Sequence, residues 1–284
     1  MSSGGDEWPI GGYAIELENR DELQATATEA TYRSLGDIPA EMDPRKHPLW
    51  SQGWMKVFNQ GSVGSCQGCA LVGCLEYCYG LFGPKIVQHS CMYAYLTSQM
   101  ASGIRGDSGS TLSGGTKAAK DGICSEEVGP YPGRYPGHGW VTDAMRQDAK
   151  NYRMNSHTVI RSPDEMKAFI GSGIGVCQIG IGWSGMNPDS NGCIRSYGGG
   201  GGGGHSVCYV GYAPSDVVKV NNDDGYWFLL QNSWGTRWGM SGFAWVSPRA
   251  VNQQIRSGGT FIGRSDMVTP GPRDIDWAKD RVFV

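Results

Sequence analysis

Between Asn59 and Tyr77 the chain changes character within a few residues. Asn59-Gln60-Gly61-Ser62-Val63-Gly64-Ser65 is a short polar run rich in glycine and serine, the composition of a tight loop. From Cys66 onward the apolar residues Cys69, Leu71, Val72, Leu75 and Tyr77 recur at near-helical spacing. Cys66 therefore falls where a loop enters a helix. The start of a helix presents unpaired N–H groups and about half a positive charge, which favour a thiolate over a thiol. Two later stretches supply what a thiolate needs beside it. Gly203-Gly204-His205-Ser206-Val207-Cys208-Tyr209-Val210-Gly211-Tyr212 reads as a strand with a histidine at its start, and Tyr226 to Gln231 reads as a strand ending in the turn Asn232-Ser233-Trp234-Gly235-Thr236-Arg237-Trp238-Gly239.

In this order and at these separations the stretches resemble the papain-like cysteine peptidases. The Gln60-Gly61-x-x-Gly64-Ser65-Cys66 loop, the Gly204-His205 strand and the Asn232-Ser233-Trp234-Gly235-Thr236-x-Trp238-Gly239-x-x-Gly242-Phe243 turn all match, and Ile38-Pro39-x-x-x-Asp43-x-Arg45 matches the usual start of the mature enzyme. The resemblance implies an α+β, papain-like two-lobed fold, a helical lobe plus an antiparallel β-barrel-like lobe with the active-site cleft between them. Divided accordingly, residues 1–37 form an N-terminal arm or short pro-segment and 38–155 the helical lobe carrying Cys66. Residues 156–250 form the β lobe carrying His205 and Asn232, and 251–284 a C-terminal extension beyond the family's usual end.

The chemistry implied is peptide-bond hydrolysis. Cys66 attacks as the thiolate of a pair with the His205 imidazolium, Asn232 orients the histidine, and Trp234 shields their hydrogen bond while also bordering the substrate. The side-chain amide of Gln60 and the backbone N–H of Cys66 form the oxyanion hole. Gly114 and Gly115 are expected where substrate backbone approaches closely, and Ser206 at the edge of the pocket for the second residue upstream of the cut. A protein or peptide is the expected substrate, with no metal or organic cofactor. Two departures stand out. Gln67 and Gly68 follow the nucleophile where most relatives have tryptophan first, and Val63 and Leu112 stand where secreted relatives carry a disulfide. The second departure, with the form of Glu126-Glu127-Val128-Gly129-Pro130-Tyr131-Pro132, resembles prokaryotic and viral members.

Composition narrows the remaining readings. The net charge of −3 gives no electrostatic footprint for nucleic acid or a membrane surface. Glycine, 45 of 284 residues, is about twice its usual share of about 7%, which implies long loops and short helices. Met1 to Glu7 lacks the basic start and apolar run of a secretory signal, so the nine cysteines are expected reduced, in a cytoplasmic or virion-associated protein. Cys66-Gln67-Gly68-Cys69 also fits a thiol-redox site. A metal site from Cys66, Cys69, Cys74 and Cys78 is disfavoured, because Cys69 and Cys74 diverge by roughly 140° on a helix. An alternative function is a papain-fold structural or assembly component with weak or no peptidase activity, docking through residues 1–37 and 251–284.

Locally, Ser90 is expected to cap a helix, Gly122 to end one, and Ser162-Pro163 to start another. Asp21–Leu35 reads as helical, Gly198–Gly204 as a slack loop, and Asp274–Val284 as a segment able to dock.

Overall fold

The computed structural model describes residues 10–23, 38–82, 85–199 and 201–268. Most of the helical reading of Asp21–Leu35 and the docking of Asp274–Val284 lie outside these residues.

Four helices build the first lobe: α1 (Cys66–Phe82), α2 (Cys91–Ser102), α3 (Leu112–Asp121) and α4 (Asp143–Ala149). Helix α1 is buried on every side, so its sequence is apolar all round rather than striped. Its glycines sit where neighbours come closest. A Cβ on Gly68 would lie 2.6 Å from the Cys91 carbonyl oxygen, and one on Gly80 only 1.7 Å from the Trp54 ring. Ser90 caps α2 by accepting from Tyr93 N–H at 3.1 Å, and Gly122 at φ 109° closes α3. Trp54, Leu71, Leu75, Tyr77, Met92 and Leu96 lie in the core of this lobe.

The second lobe is a seven-stranded sheet in the order β1-β7-β2-β4-β5-β6-β3. Its strands are β1 (Arg153–Val159), β2 (Val176–Gly182), β3 (Cys193–Ile194), β4 (Gly204–Pro214), β5 (Tyr226–Gln231), β6 (Phe243–Val246) and β7 (Thr260–Val268). All neighbours run antiparallel except the short β3, which is parallel to β6. Helices α5 (Pro163–Gly171), α6 (Ser215–Val218) and α7 (Pro248–Arg256) complete the lobe. Ser162 caps α5 with Pro163 in its first turn, as its sequence requires.

The C-terminal boundary differs from the expectation. Residues 251–268 are not an appendage, because β7 inserts between β1 and β2 and pairs with both. The sequence obscured this by placing Gly263 and Arg264 in mid-strand, a pattern unlike a core strand.

Arg264 is nonetheless there for a reason. Fully buried, its guanidinium donates to Gln178 Oε1 at 2.5 Å on β2, to Thr116 Oγ1 at 3.1 Å and to the Leu112 carbonyl at 3.3 Å on α3. Gln178 in turn donates to the Gln67 carbonyl at 3.1 Å, in the first turn of α1. One buried cation thus joins the two lobes. Arg264→Ala leaves Gln178 Oε1 buried without its donor, while the Leu112 carbonyl and Thr116 Oγ1 keep the bond they share, so a loss of about 2 kcal/mol is expected in urea unfolding. A loss below about 1 kcal/mol would show that the lobes do not rest on this residue.

Candidate active site

Cys66 is the first residue of α1, and the Ser206 N–H points at its Sγ from 3.4 Å away on β4. The pairing of β2 with β4 sets Ile181 opposite His205 at the start of the same strand. His205 and Asn232, both buried, are joined by a hydrogen bond of 2.9 Å between Nε2 and Oδ1. The same Oδ1 accepts from Ser233 N–H at 2.8 Å, which fixes it as the oxygen. Nε2 therefore carries the ring proton, and Nδ1, with no partner among the described residues, keeps its lone pair free to take one.

The loop before Cys66 is sewn to the Asn232 turn. Asn59 and Trp234 form an antiparallel bridge, Gln60 N–H donates to the Ser233 carbonyl at 2.8 Å, and Ser233 Oγ donates to Gln60 Oε1 at 2.5 Å. This orients the Gln60 amide with Nε2 outward, one of its hydrogens resting on the Val63 carbonyl at 2.9 Å. Tyr131 braces the loop from behind, donating to the Gln60 carbonyl at 2.9 Å and lying 2.7 Å from Ser65 Oγ. Trp234 stacks on the histidine ring at 4.6 Å, and Trp183, unmarked in the sequence reading, meets it edge-on at 4.7 Å. The two indoles also touch each other, 5.1 Å between ring centres, and together screen one face and an adjoining side of the histidine from water.

Other candidates fall elsewhere. Gly114 and Gly115 lie inside α3, where Cβ atoms would meet Ser102 Oγ at 2.1 Å and Gln67 Nε2 at 2.0 Å. They serve helix packing and are not at the cleft rim. The backbone exposed to the cleft is Gly109-Ser110 instead. Leu112 likewise does not partner Val63 but packs with Cys66, Tyr13 and Ile262. Ser206 Oγ is turned away to the Ile179 carbonyl at 2.6 Å, leaving its N–H to the sulfur. Gln67 replaces an aromatic wall with a tether, its Oε1 accepting from Ser110 Oγ at 2.7 Å. Cys69 is directed to Ser65 Oγ, 4.0 Å away, and to Cys91, while Cys66 receives the Ser206 N–H.

The feature the sequence hid is the course of residues 10–18. They run through the cleft. Gly11 and Tyr13 N–H donate to the Gly204 carbonyl at 2.8 and 3.3 Å, and Ala14 N–H and the Gly12 carbonyl pair with Ser110 in a parallel bridge. A Cβ on Gly12 would lie 2.7 Å from Cys66 Sγ and one on Gly204 2.0 Å from the Tyr13 carbonyl, so the last of the consecutive glycines is a docking edge. The Tyr13 ring, 2% exposed, fills a pocket beside Leu112 and Ile262 whose floor is Gly180. The Glu18 carboxylate accepts from the Leu112 and Ser113 N–H groups at 2.6 and 2.8 Å, at the start of α3.

Occlusion sets the protonation of the site. Burial pushes the Cys66 thiol up to about 12, against the lowering effect of the Ser206, Gln67 and Cys66 N–H groups. Burial likewise brings the His205 imidazole down to about 4, opposed by its bond to Asn232. The covered pair is thus neutral thiol and neutral imidazole.

Comparison with known families matches residues 38–259 to the papain family cysteine proteases. The chain belongs to that family. It is 27% identical over 233 residues to cysteine proteinase 1 of Zea mays, aligning 78% of this chain with 60% of that one. It is 24% identical to cathepsin F of Drosophila melanogaster, with 89% and 39% covered, and 27% identical to procathepsin L of Mus musculus, with 66% and 55% covered. The chain thus spans 39% to 60% of the lengths of these relatives. Among solved structures, xylellain, a cysteine protease from Xylella fastidiosa, superposes with a TM-score of 0.67 at 20% identity, covering 93% of this chain and 99% of that one. A procathepsin B from Trypanosoma congolense superposes with a TM-score of 0.68 at 15% identity, covering 91% and 87%.

The buried histidines make stability depend on pH. His205 and His89 fall from 6.5 to about 4 and about 3, chiefly through burial, so below pH 6.5 the unfolded chain binds protons that the folded chain refuses. This contribution is complete above about pH 6.5 and is lost as pH falls toward 4; buried Glu76, raised from 4.5 to about 7, acts in the opposite sense over the same interval and offsets part of it. The melting temperature should drop over that interval, and drop less in His205→Ala; an equal drop in both would show that His205 is not held neutral.

Proposed function

We propose that this chain is a cysteine endopeptidase held latent by its own N-terminal arm. The observation that carries the reading is the Cys66–His205–Asn232 constellation with Gly12 of the arm lying on the sulfur. With the arm withdrawn, water reaches the sulfur and the imidazole. The desolvation that keeps both neutral is relieved, and the proton moves from Sγ to Nδ1. The thiolate, favoured by the α1 N-terminus, attacks the carbonyl carbon of a peptide bond to give a tetrahedral oxyanion facing the Gln60 amide and the Cys66 N–H. His205 then gives its proton to the departing amine and leaves a thioester. Water, deprotonated by the same nitrogen, hydrolyses the thioester and restores the thiol.

The arm resists this fate. The face of Gly12 that would carry a side chain is turned to the sulfur, and its carbonyl accepts from the Ser110 N–H at 3.2 Å, not from the Gln60 amide, which rests on Val63. The pocket filled by Tyr13 is sized for a ring, which supports substrates carrying an aromatic residue there. Buried, free cysteines and an apolar Val63 in place of a bridge support the reading of a prokaryotic or viral type of enzyme, cytoplasmic or virion-associated.

The test is labelling by an epoxide inhibitor of papain-like enzymes, with the adduct mapped by mass. Burial of the Tyr13 ring contributes about 2 kcal/mol, so Tyr13→Ala and Gly12→Val should speed labelling of Cys66 roughly tenfold or more. Cys66→Ala should neither label nor cleave unfolded protein; cleavage surviving in that variant would remove the mechanism. Cys69→Ser should leave cleavage largely intact.

A further inference from the structure

Gly12, the residue lying on the sulfur, touches the cleft on two sides. A Cβ on it would lie 2.6 Å from the Gly64 carbonyl oxygen, and a Cβ on Gly109 would lie 2.9 Å from the Gly12 carbonyl oxygen. Gly64 belongs to the loop that ends at Cys66. Gly109 belongs to the rim, whose next residue, Ser110, pairs through its backbone with Gly12 and Ala14. Whatever fixes Gly64 relative to Gly109 therefore sets where a chain bonded to the rim lies over the nucleophile.

Asp107 and Tyr95 make that connection. Asp107 Oδ1 accepts from Gly64 N–H at 2.9 Å and from the Tyr95 hydroxyl at 2.8 Å. The hydroxyl proton is spent on Asp107, so its lone pairs accept from Gly109 N–H at 3.1 Å and from Gln99 Nε2 at 2.9 Å. Loop backbone, carboxylate, phenol and rim backbone thus form one chain of three bonds. Gln99, one turn after Tyr95 on α2, holds the rim again, its Nε2 lying 2.8 Å from the carbonyl oxygens of both Gly106 and Gly109. Tyr135 and His138 steady it at Oε1, from 3.1 and 3.2 Å. An aspartate in a glycine-flanked loop commonly closes a turn on its own backbone. Asp107 does not, since both donors to its Oδ1 come from outside residues 106–109.

We infer that Asp107 and Tyr95 are positioning residues, a clasp that fixes the nucleophile loop against the substrate-pairing rim. A peptide bonded to the rim then has its scissile carbonyl in line with Cys66. Neither side chain touches the substrate; both act through the backbone of Gly64 and Gly109. A small misplacement of the carbonyl over the sulfur costs rate rather than affinity, because the substrate still binds the rim. The part played in cleavage rests on the peptidase reading, whereas the coupling of the two backbone segments does not.

Coupling is read from amide hydrogen exchange on the full chain. Tyr95→Phe leaves the Gly64–Asp107 bond itself in place, yet it should speed exchange of the Gly64 N–H about fivefold, the worth of roughly one net hydrogen bond. An unchanged Gly64 rate overturns the clasp. Positioning is read in Gly12→Val, with N-acetyl-Phe-Ala-aminomethylcoumarin as substrate and iodoacetamide as a reagent too small to use the rim. Asp107→Ala should lower kcat about fivefold or more while KM and the alkylation of Cys66 stay within about twofold. Asp107→Asn, which keeps Oδ1, should retain most of kcat. Tyr95→Phe should cost as much as Asp107→Ala, and the double variant no more than either, because both cut one chain of bonds. Losses that multiply in the double variant, or that appear equally in alkylation, overturn the positioning role. If Gly12→Val cleaves nothing, the peptidase reading fails and the exchange result alone decides the clasp.

Discussion

A buried guanidinium ties the two lobes together beneath the cleft, where the Gln60–Ser233 bonds tie them at its rim. Arg264 lies in a central strand, and its three acceptors belong to β2 and α3, elements of opposite lobes. Desolvation lowers its affinity for the proton, yet an arginine remains charged in so well bonded a setting. Through Gln178 the same network ends on the carbonyl of Gln67, the residue after the nucleophile. Apolar contact would join the lobes without fixing their register, because dispersion has little directional preference. Directional bonds to a rigid planar cation define that register, and the position of Cys66 relative to His205 follows from it.

Gln67 connects this network to the cleft. Its carbonyl is held by Gln178 and its side chain holds Ser110, whose backbone pairs with Gly12 and Ala14 in the cleft. The residue that seemed a loss at the start of α1 is thus a link between the lobe interface and the rim. A tryptophan could bury more area there but could not accept from Ser110 Oγ.

The residues of the candidate site were legible because each sits in a local motif that dictates its own backbone. Gly-Ser residues before a helix, a glycine before a strand histidine, and Asn-Ser-Trp-Gly at a strand end are short-range patterns, and the capped starts of α2 and α5 are equally local. What could not be read depended on distant chain. Gly114-Gly115 looked like a turn because glycine pairs usually are; only the close approach of Gln67 and Ser102 explains them inside a helix. Strand β7 was hidden because Arg264 is tolerable in a core only once Gln178, Thr116 and Leu112 are assembled around it. Trp183 gave no signal, since a single tryptophan after a strand points to nothing until His205 is known to lie beneath it.

The arm shows how occlusion and protonation become one device. A bare thiolate–imidazolium pair is stabilised by water and by the α1 N-terminus together, and removing the water leaves the helix dipole, worth about 0.3–1 kcal/mol, too weak to hold the charges apart. On the proposed reading, laying Gly11–Tyr13 across Cys66 does more than block access, because burial favours the neutral thiol and neutral imidazole over the ion pair. Glycine is required at the contact, since any side chain at position 12 would meet Sγ or the Gly64 carbonyl, and Gly204 is required on the other side for the Tyr13 carbonyl. Gly204, the end of a run that reads as slack in the sequence, and Gly12 let the backbone of the arm lie against β4 and against the Cys66 sulfur.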